Sequence, residues 1–243
     1  PTSLTYGARK LKFGIVVFPG TWSEKDTHHA VSGVLGQDAE YIWHGDEQLD
    51  QFDAIALPGG FSYGDFLRCG AIARFSPVME AVVAFANRGG PVLGICNGFQ
   101  VLCESGLLPG VLMQNDHLEF RCIWTDLKIE NDSTMFTSDG TNGQTLHIPM
   151  SHGEGNYQAD TATIDRLEGN GQVVLRYADA AGNVTPEINP NGSINNIAGI
   201  VNERGNVMGM MPHPEKASEK IIGGDDGNVI FSSMIDSFIA SMA

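Results

Sequence analysis

Four short apolar runs constrain this chain more than any other feature. They are LKFGIVVFPG (11–20), AEYIW (39–43), DAIALPGG (53–60) and PVLGI (91–95). The longest apolar stretches within them are continuous rather than alternating, as in strands buried on both faces. Pro-Gly or Pro-Gly-Gly ends the first and third, a strong local stop. Residues between them have helical spacing. Residues 23–35 begin polar and stop at Gly36. Ser76 and Pro77 form an N-cap and first-turn pair ahead of a stripe at Val78, Ala81, Val82 and Phe85. Strands alternating with amphipathic helices imply an α/β fold, an open parallel sheet with helices on both faces.

The middle of the chain breaks this rhythm. EFRCIWTDLKIE (119–130), TLHIPM (145–150) and QVVLRYAD (172–179) read as strands with few helices between them, an antiparallel extension of the sheet. Residues 183–196 hold many Gly, Pro and Asn and are expected as loop. IAGIVNE (197–203) and VMGMMPHPE (207–215) resume strands around Arg204-Gly205, and a helix over 229–242 closes the chain. With no repeat or linker, the expectation is a loose leader over 1–10 and a single domain over 11–243. The 243 residues suffice to bury a core without staples.

Composition excludes several functions. A net charge of −15 argues against binding nucleic acid or an anionic membrane surface. No apolar run reaches membrane-spanning length, and PTSLTYGARKLK lacks the apolar core of a signal peptide. The four cysteines, Cys69, Cys96, Cys103 and Cys122, form no C-x-x-C pair, so no metal site is expected. A reducing cytoplasm and free thiols are the default.

One cysteine stands where a strand turns into a helix. Gly94-Ile95-Cys96-Asn97-Gly98 has the form G-x-C-x-G, the thiol version of the nucleophile elbow. The bland alternative is a small buried hydrophobe. At such a turn the sulfur stands at the carboxyl end of the sheet and at a helix N-terminus, whose partial charge favours thiolate. A thiol nucleophile needs a base, and the base an orienter. In MPHPE (211–215) two prolines hold the segment extended, which would point His213 and Glu215 to one side. The plain alternative is a solvated His and Glu on a surface loop. An oxyanion needs donors. Gly59 and Gly60 can turn N–H groups inward after the third strand, and the Asn97 N–H is the natural second donor.

Together these pieces resemble the triad-type (class I) glutamine amidotransferases: Pro-Gly-Gly after a strand, G-x-C-x-G with Gln100 four residues past the cysteine, and a late P-x-P-E. GGFSYGDFLRCGAIA (59–73), GICNGFQVLCESGLLPG (94–110), SHGEGNY (151–157) and MPHPE narrow the match to the glutaminase subunits of phosphoribosylformylglycinamidine synthase. The similarity runs from about residue 11 to the C-terminus. The resemblance implies a flavodoxin-like amidotransferase fold and hydrolysis of glutamine through a thioester, with ammonia used in purine biosynthesis. It implies Cys96 as nucleophile, His213 as general base and acid, and Glu215 as its orienter. Gly59, Gly60 and Asn97 would line the oxyanion hole and the glutamine amide, and Gln100, Ser151 and His152 the glutamine pocket. It gives Glu154 no role. It implies two partners, a synthetase subunit and a small accessory subunit. It also implies an isolated chain of low activity. No cofactor is expected in this chain; ATP and Mg are expected on the synthetase, since no Walker-type loop is present.

One departure is clear. After the first strand the family often has Ser-Asn-Cys-Asp, where this chain has Thr21-Trp22-Ser23-Glu24. Two other readings remain open. Intracellular-protease or chaperone-like proteins share the cysteine elbow but often place a histidine directly after it, where this chain has Asn97. A non-catalytic scaffold would be expected to have lost a triad candidate, and all three are present. Among the other cysteines, Cys103 is expected to be packed and Cys122 to lie in a strand. Cys69, beside Arg68, has no obvious base.

Overall fold

A computed structural model describes residues 10–241 of the chain. The expected leader lies outside the described residues apart from Lys10. Among the described residues nine strands form one sheet, in the spatial order Asp38–Trp43, Lys12–Val17, Ala54–Leu57, Val92–Ile95, Val207–Met210, Ile197–Val201, Val173–Ala178, Arg121–Ile129 and Thr145–His152. Strands β1 (Lys12–Val17), β2 (Asp38–Trp43), β3 (Ala54–Leu57), β4 (Val92–Ile95) and β11 (Val207–Met210) are the parallel part. Strands β6 (Arg121–Ile129), β7 (Thr145–His152), β9 (Val173–Ala178) and β10 (Ile197–Val201) extend it antiparallel. The expected parallel sheet with an antiparallel extension is the architecture found.

The central strands are buried along their whole length, because helices cover both faces. Helix α2 (Pro77–Asn87) starts after Ser76 with Pro77 in its first turn, and buries Val78, Met79, Val82 and Phe85. Helix α3 (Asn97–Glu104) follows β4 directly. Its Phe99 is fully buried and stacks on Tyr157 at 5.8 Å between ring centroids. Phe99 also lies on Gly209 of β11, where a side chain would run into the ring. Burying one such ring stabilises by about 1.5–3 kcal/mol, and this contact ties α3 to the strand beside it. Helix α5 (Asn228–Ser241) closes the described chain.

The structure refines several expectations and corrects one. The helix expected over 23–35 is α1 (Glu24–His28), which continues as a wider π-type turn over His29–Val34. The middle of the chain holds a helix, α4 (Thr161–Gly169), capped by Asp160, whose side chain accepts from the Thr163 N–H. A separate two-stranded sheet pairs β5 (Val111–Met113) with β8 (Asn156–Gln158). The strand expected over 207–215 ends at Met210, and Pro214–Lys216 is a 3-10 turn. Proline at the first position of that turn favours the tight conformation over the extended one. No helix among the described residues is long and apolar enough to cross a membrane.

Candidate active site

Neighbouring parallel strands deliver the site. The carboxyl ends of β3, β4 and β11 lie side by side and lead into Gly59-Gly60, Cys96 and His213. Cys96 is held at φ +51°, ψ −106°, a conformation that L residues rarely adopt. Its own N–H donates to the Met210 carbonyl at 2.7 Å, which locks the elbow to β11. Both flanking glycines are needed for space. A methyl group on Gly94 would sit 2.5 Å from the Leu102 side chain, and one on Gly98 would strike the Leu57 carbonyl. The sulfur lies 3.6 Å from the Ser151 carbonyl, which accepts its S–H.

His213 and Glu215 are both buried, and Nδ1 donates to Oε1 at 2.6 Å. The pairing expected from sequence is present, but its cause is the 3-10 turn and not an extended segment. A carboxylate can only accept, so the proton is on Nδ1 and Nε2 is left to act. Nε2 is buried with no protein hydrogen bond among the described residues. Burial disfavours the imidazolium, yet the Glu215 carboxylate and Cys96 outweigh it and push His213 up to about 10.

Gly59 packs between base and nucleophile. A methyl group there would lie 2.6 Å from His213 Cε1 and 3.3 Å from Cys96 Cβ. Among the described residues, neither the Gly60 N–H nor the Asn97 N–H donates to another protein group. A cavity of about 250 Å³ opens here, lined by Gly60, Cys96, Ser151 and His213, with Trp22, Phe61 and Phe120 at its mouth. The arrangement can attack a planar carbonyl carbon with sulfur, receive the oxyanion on two N–H groups, and move a proton at His213 Nε2. No cluster of three or more His, Cys, Asp or Glu side chains among the described residues is set to hold a metal ion.

The family model for the CobB/CobQ-like glutamine amidotransferase domain matches residues 10–223. Phosphoribosylformylglycinamidine synthase subunit PurQ of Moorella thermoacetica is 57% identical over 226 residues, 93% of this chain and 96% of the relative. The protein of the same description from Salinibacter ruber is 56% identical over 225 residues, 93% of this chain and 96% of the relative. The chain belongs to the PurQ family of glutamine amidotransferases. Among solved structures, one described as the structure of PurLQS from Thermotoga maritima matches with a TM-score of 0.83 and 41% identity, covering 94% of this chain and 99% of that chain.

The remaining site candidates form a buried polar layer beside the cavity. Asn97 Oδ1 accepts from the Ser62 N–H, and its Nδ2 donates to Gln100 Oε1 at 2.9 Å. Gln100 Nε2 donates to the Glu154 carbonyl at 2.6 Å. Asn97 and Gln100 thus tie three motifs together, and neither their side chains nor His152 line the cavity. His152 Nδ1 donates to Asn115 Oδ1 at 3.1 Å, and its buried Nε2 has no protein partner among the described residues. Burial and the nearby His213 charge push His152 down to about 3, so it is neutral.

Sequence reasoning missed Asn115 and Asn191. Asn115 is fully buried; it accepts from the Gly155 N–H and donates to the carbonyls of Glu119 and His152. Asn191, also fully buried, donates to the Gly155 carbonyl and to the Tyr177 hydroxyl. Both pin the 151–157 motif from loops distant in sequence, and only their full burial in the fold marks them out. Cys69 is buried beside Asp65 and Glu154, and burial and those carboxylates push its thiol up. Cys103 is packed and donates to the Pro109 carbonyl, while Cys122 is exposed on β6.

Proposed function

We propose that this chain hydrolyses glutamine by covalent catalysis at Cys96 and supplies the ammonia to an ATP-dependent synthetase subunit of phosphoribosylformylglycinamidine synthase in purine biosynthesis. Support comes from the PurQ relatives and from the PurLQS assembly of Thermotoga maritima. One observation carries the chemistry. Parallel register between β4 and β11 sets the strained Cys96 beside a buried His213–Glu215 pair.

The Cys96 S–H proton passes to His213 Nε2, the sulfur attacks the side-chain amide carbon of glutamine, and the C=O electrons move onto an oxyanion held by the N–H groups of Gly60 and Asn97. His213 Nε2 gives a proton to the departing ammonia as the C–N bond breaks, leaving a thioester on Cys96. The raised proton affinity keeps that proton on His213 until the leaving nitrogen takes it. Once Cys96 is acylated its charge is gone, and with it one of the causes that raise His213. The imidazole then becomes the base that takes a proton from water. Water adds to the thioester, the C–S bond breaks, and glutamate leaves.

Ammonia serves the synthetase only if it stays unprotonated, so it passes to the partner without entering bulk water. ATP and magnesium belong to that partner, which acts with a small accessory subunit. The setting is the cytoplasm. Incubating the chain with glutamine, with and without its synthetase partners, tests the reading. Glutamate release should depend on Cys96, increase with the partners, and vanish in Cys96→Ala while ammonia-driven synthesis persists. Undiminished release by Cys96→Ala would refute it.

A further inference from the structure

The turn that departs from the family sequence grips the oxyanion peptide. Thr21 Oγ1 accepts from the Phe18 N–H at 2.9 Å, and the Thr21 N–H returns a bond to the Phe18 carbonyl at 3.0 Å. This reciprocal pair closes the turn at the end of β1. The next two N–H groups, of Trp22 and Ser23, both donate to the Gly59 carbonyl, at 3.0 and 3.1 Å. Across the same contact the Phe61 N–H donates to the Gly20 carbonyl at 2.9 Å, and Thr21 and Gly60 form an antiparallel bridge. There is no room for a side chain between them, since a methyl group on Gly60 would lie 2.5 Å from the Trp22 nitrogen.

The peptide between Gly59 and Gly60 is trans, so its C=O and N–H point in opposite directions. Two donors hold the carbonyl on the β1 side. The Gly60 N–H is therefore held away from β1, and Gly60 lines the cavity with Cys96. Turning the peptide over would break both bonds and aim a carbonyl oxygen at the developing oxyanion.

We propose that Thr21 is a positioning residue for catalysis, whose hydroxyl closes the turn that locks the Gly59–Gly60 peptide with its N–H toward Cys96. The proposal rests on the triad reading above. Its test separates oxyanion stabilisation from nucleophile reactivity in the full chain assembled with its synthetase partners. Glutamine hydrolysis needs an oxyanion hole. Alkylation of Cys96 by iodoacetamide displaces iodide and builds no oxyanion.

Thr21→Val keeps the shape and removes the hydroxyl. It should lower kcat about 10- to 100-fold, less than the ~10²–10³ of a deleted donor, with KM for glutamine unchanged. Alkylation at the Cys96 peptide, followed by mass, should proceed at the wild-type rate. Thr21→Ser, which restores the hydroxyl, should recover kcat. An unchanged kcat in Thr21→Val overturns the proposal, as does an equal loss of alkylation or failure of Thr21→Ser to recover. A Cys96→Ala control that still releases glutamate removes the triad reading itself, and the proposal with it.

Discussion

Single atoms decide what each glycine around Cys96 does, and two substitutions should separate the roles. Gly98→Ala would push a methyl group into the backbone carbonyl of Leu57, with nothing flexible to yield. It should destabilise the fold by roughly 1–3 kcal/mol, the usual cost of overpacking, read as a lower denaturant midpoint. Gly59→Ala meets the His213 ring at 2.6 Å instead. The imidazole can give way, so the expected result is a large fall in kcat with a smaller change in midpoint. A Gly59→Ala protein with wild-type kcat would show that the base tolerates displacement. Cys96 itself carries a different kind of cost. Its φ of +51° is strain of order 1–3 kcal/mol, held in place by the bond to Met210 and the packing of Phe99.

At the scale of elements, legibility in the sequence followed locality. Strands β1, β3 and β4 and helix α2 announce themselves, because their signals are an unbroken apolar run, a Pro-Gly stop, or a cap with an apolar stripe; β2, at the sheet edge and mostly exposed, shows only a short one. The elbow and the His-Pro-Glu segment were legible for the same reason. Helix α4 was missed because TATIDRLEG carries two threonines and buries only Ile164 and Leu167, too thin a stripe to stand out. Strands β5 and β8 are three residues each, and only their mutual pairing makes them strands. The polar layer was illegible because its partners lie far apart in the chain. Asn115 reaches residues 152 and 155, replacing a strand ladder with one side-chain amide. Asn115→Ala would strand the Gly155 N–H, the His152 Nδ1–H and the His152 carbonyl in a buried site. At 1–3 kcal/mol for each buried group left unpaired, with partial rescue by water, the expected loss is at least about 3 kcal/mol. Urea unfolding measures it, and a loss below about 1 kcal/mol would mean that the 151–157 motif holds itself.

For the whole molecule, two buried histidines with opposite shifts shape the stability curve. His152 is pushed down to about 3, so between its ordinary value near 6.5 and about 3 the unfolded chain binds a proton that the folded chain refuses. Stability therefore falls as pH drops through that window, by up to about 1.4 kcal/mol per pH unit. His213 is pushed up to about 10, so from 6.5 upward the folded chain keeps a proton that the unfolded chain has lost. That contribution is complete below 6.5 and drains away as pH rises through about 10. The two limbs meet near pH 6.5, which should be the point of greatest stability. The acid limb is best read between pH 6.5 and 5, above the ordinary range of the carboxylates. Denaturant unfolding across pH, followed by tryptophan fluorescence, tests both sides separately. His152→Asn, which still offers an N–H to Asn115, should flatten the acid limb and spare the alkaline one. Glu215→Gln removes the carboxylate that raises His213 and should flatten the alkaline limb alone. It should also slow glutamine hydrolysis, because the imidazole loses both its orientation and its proton affinity. If neither variant changes its own limb, the protons that set the pH dependence reside elsewhere, and the neutral His152 and charged His213 of this site are wrong.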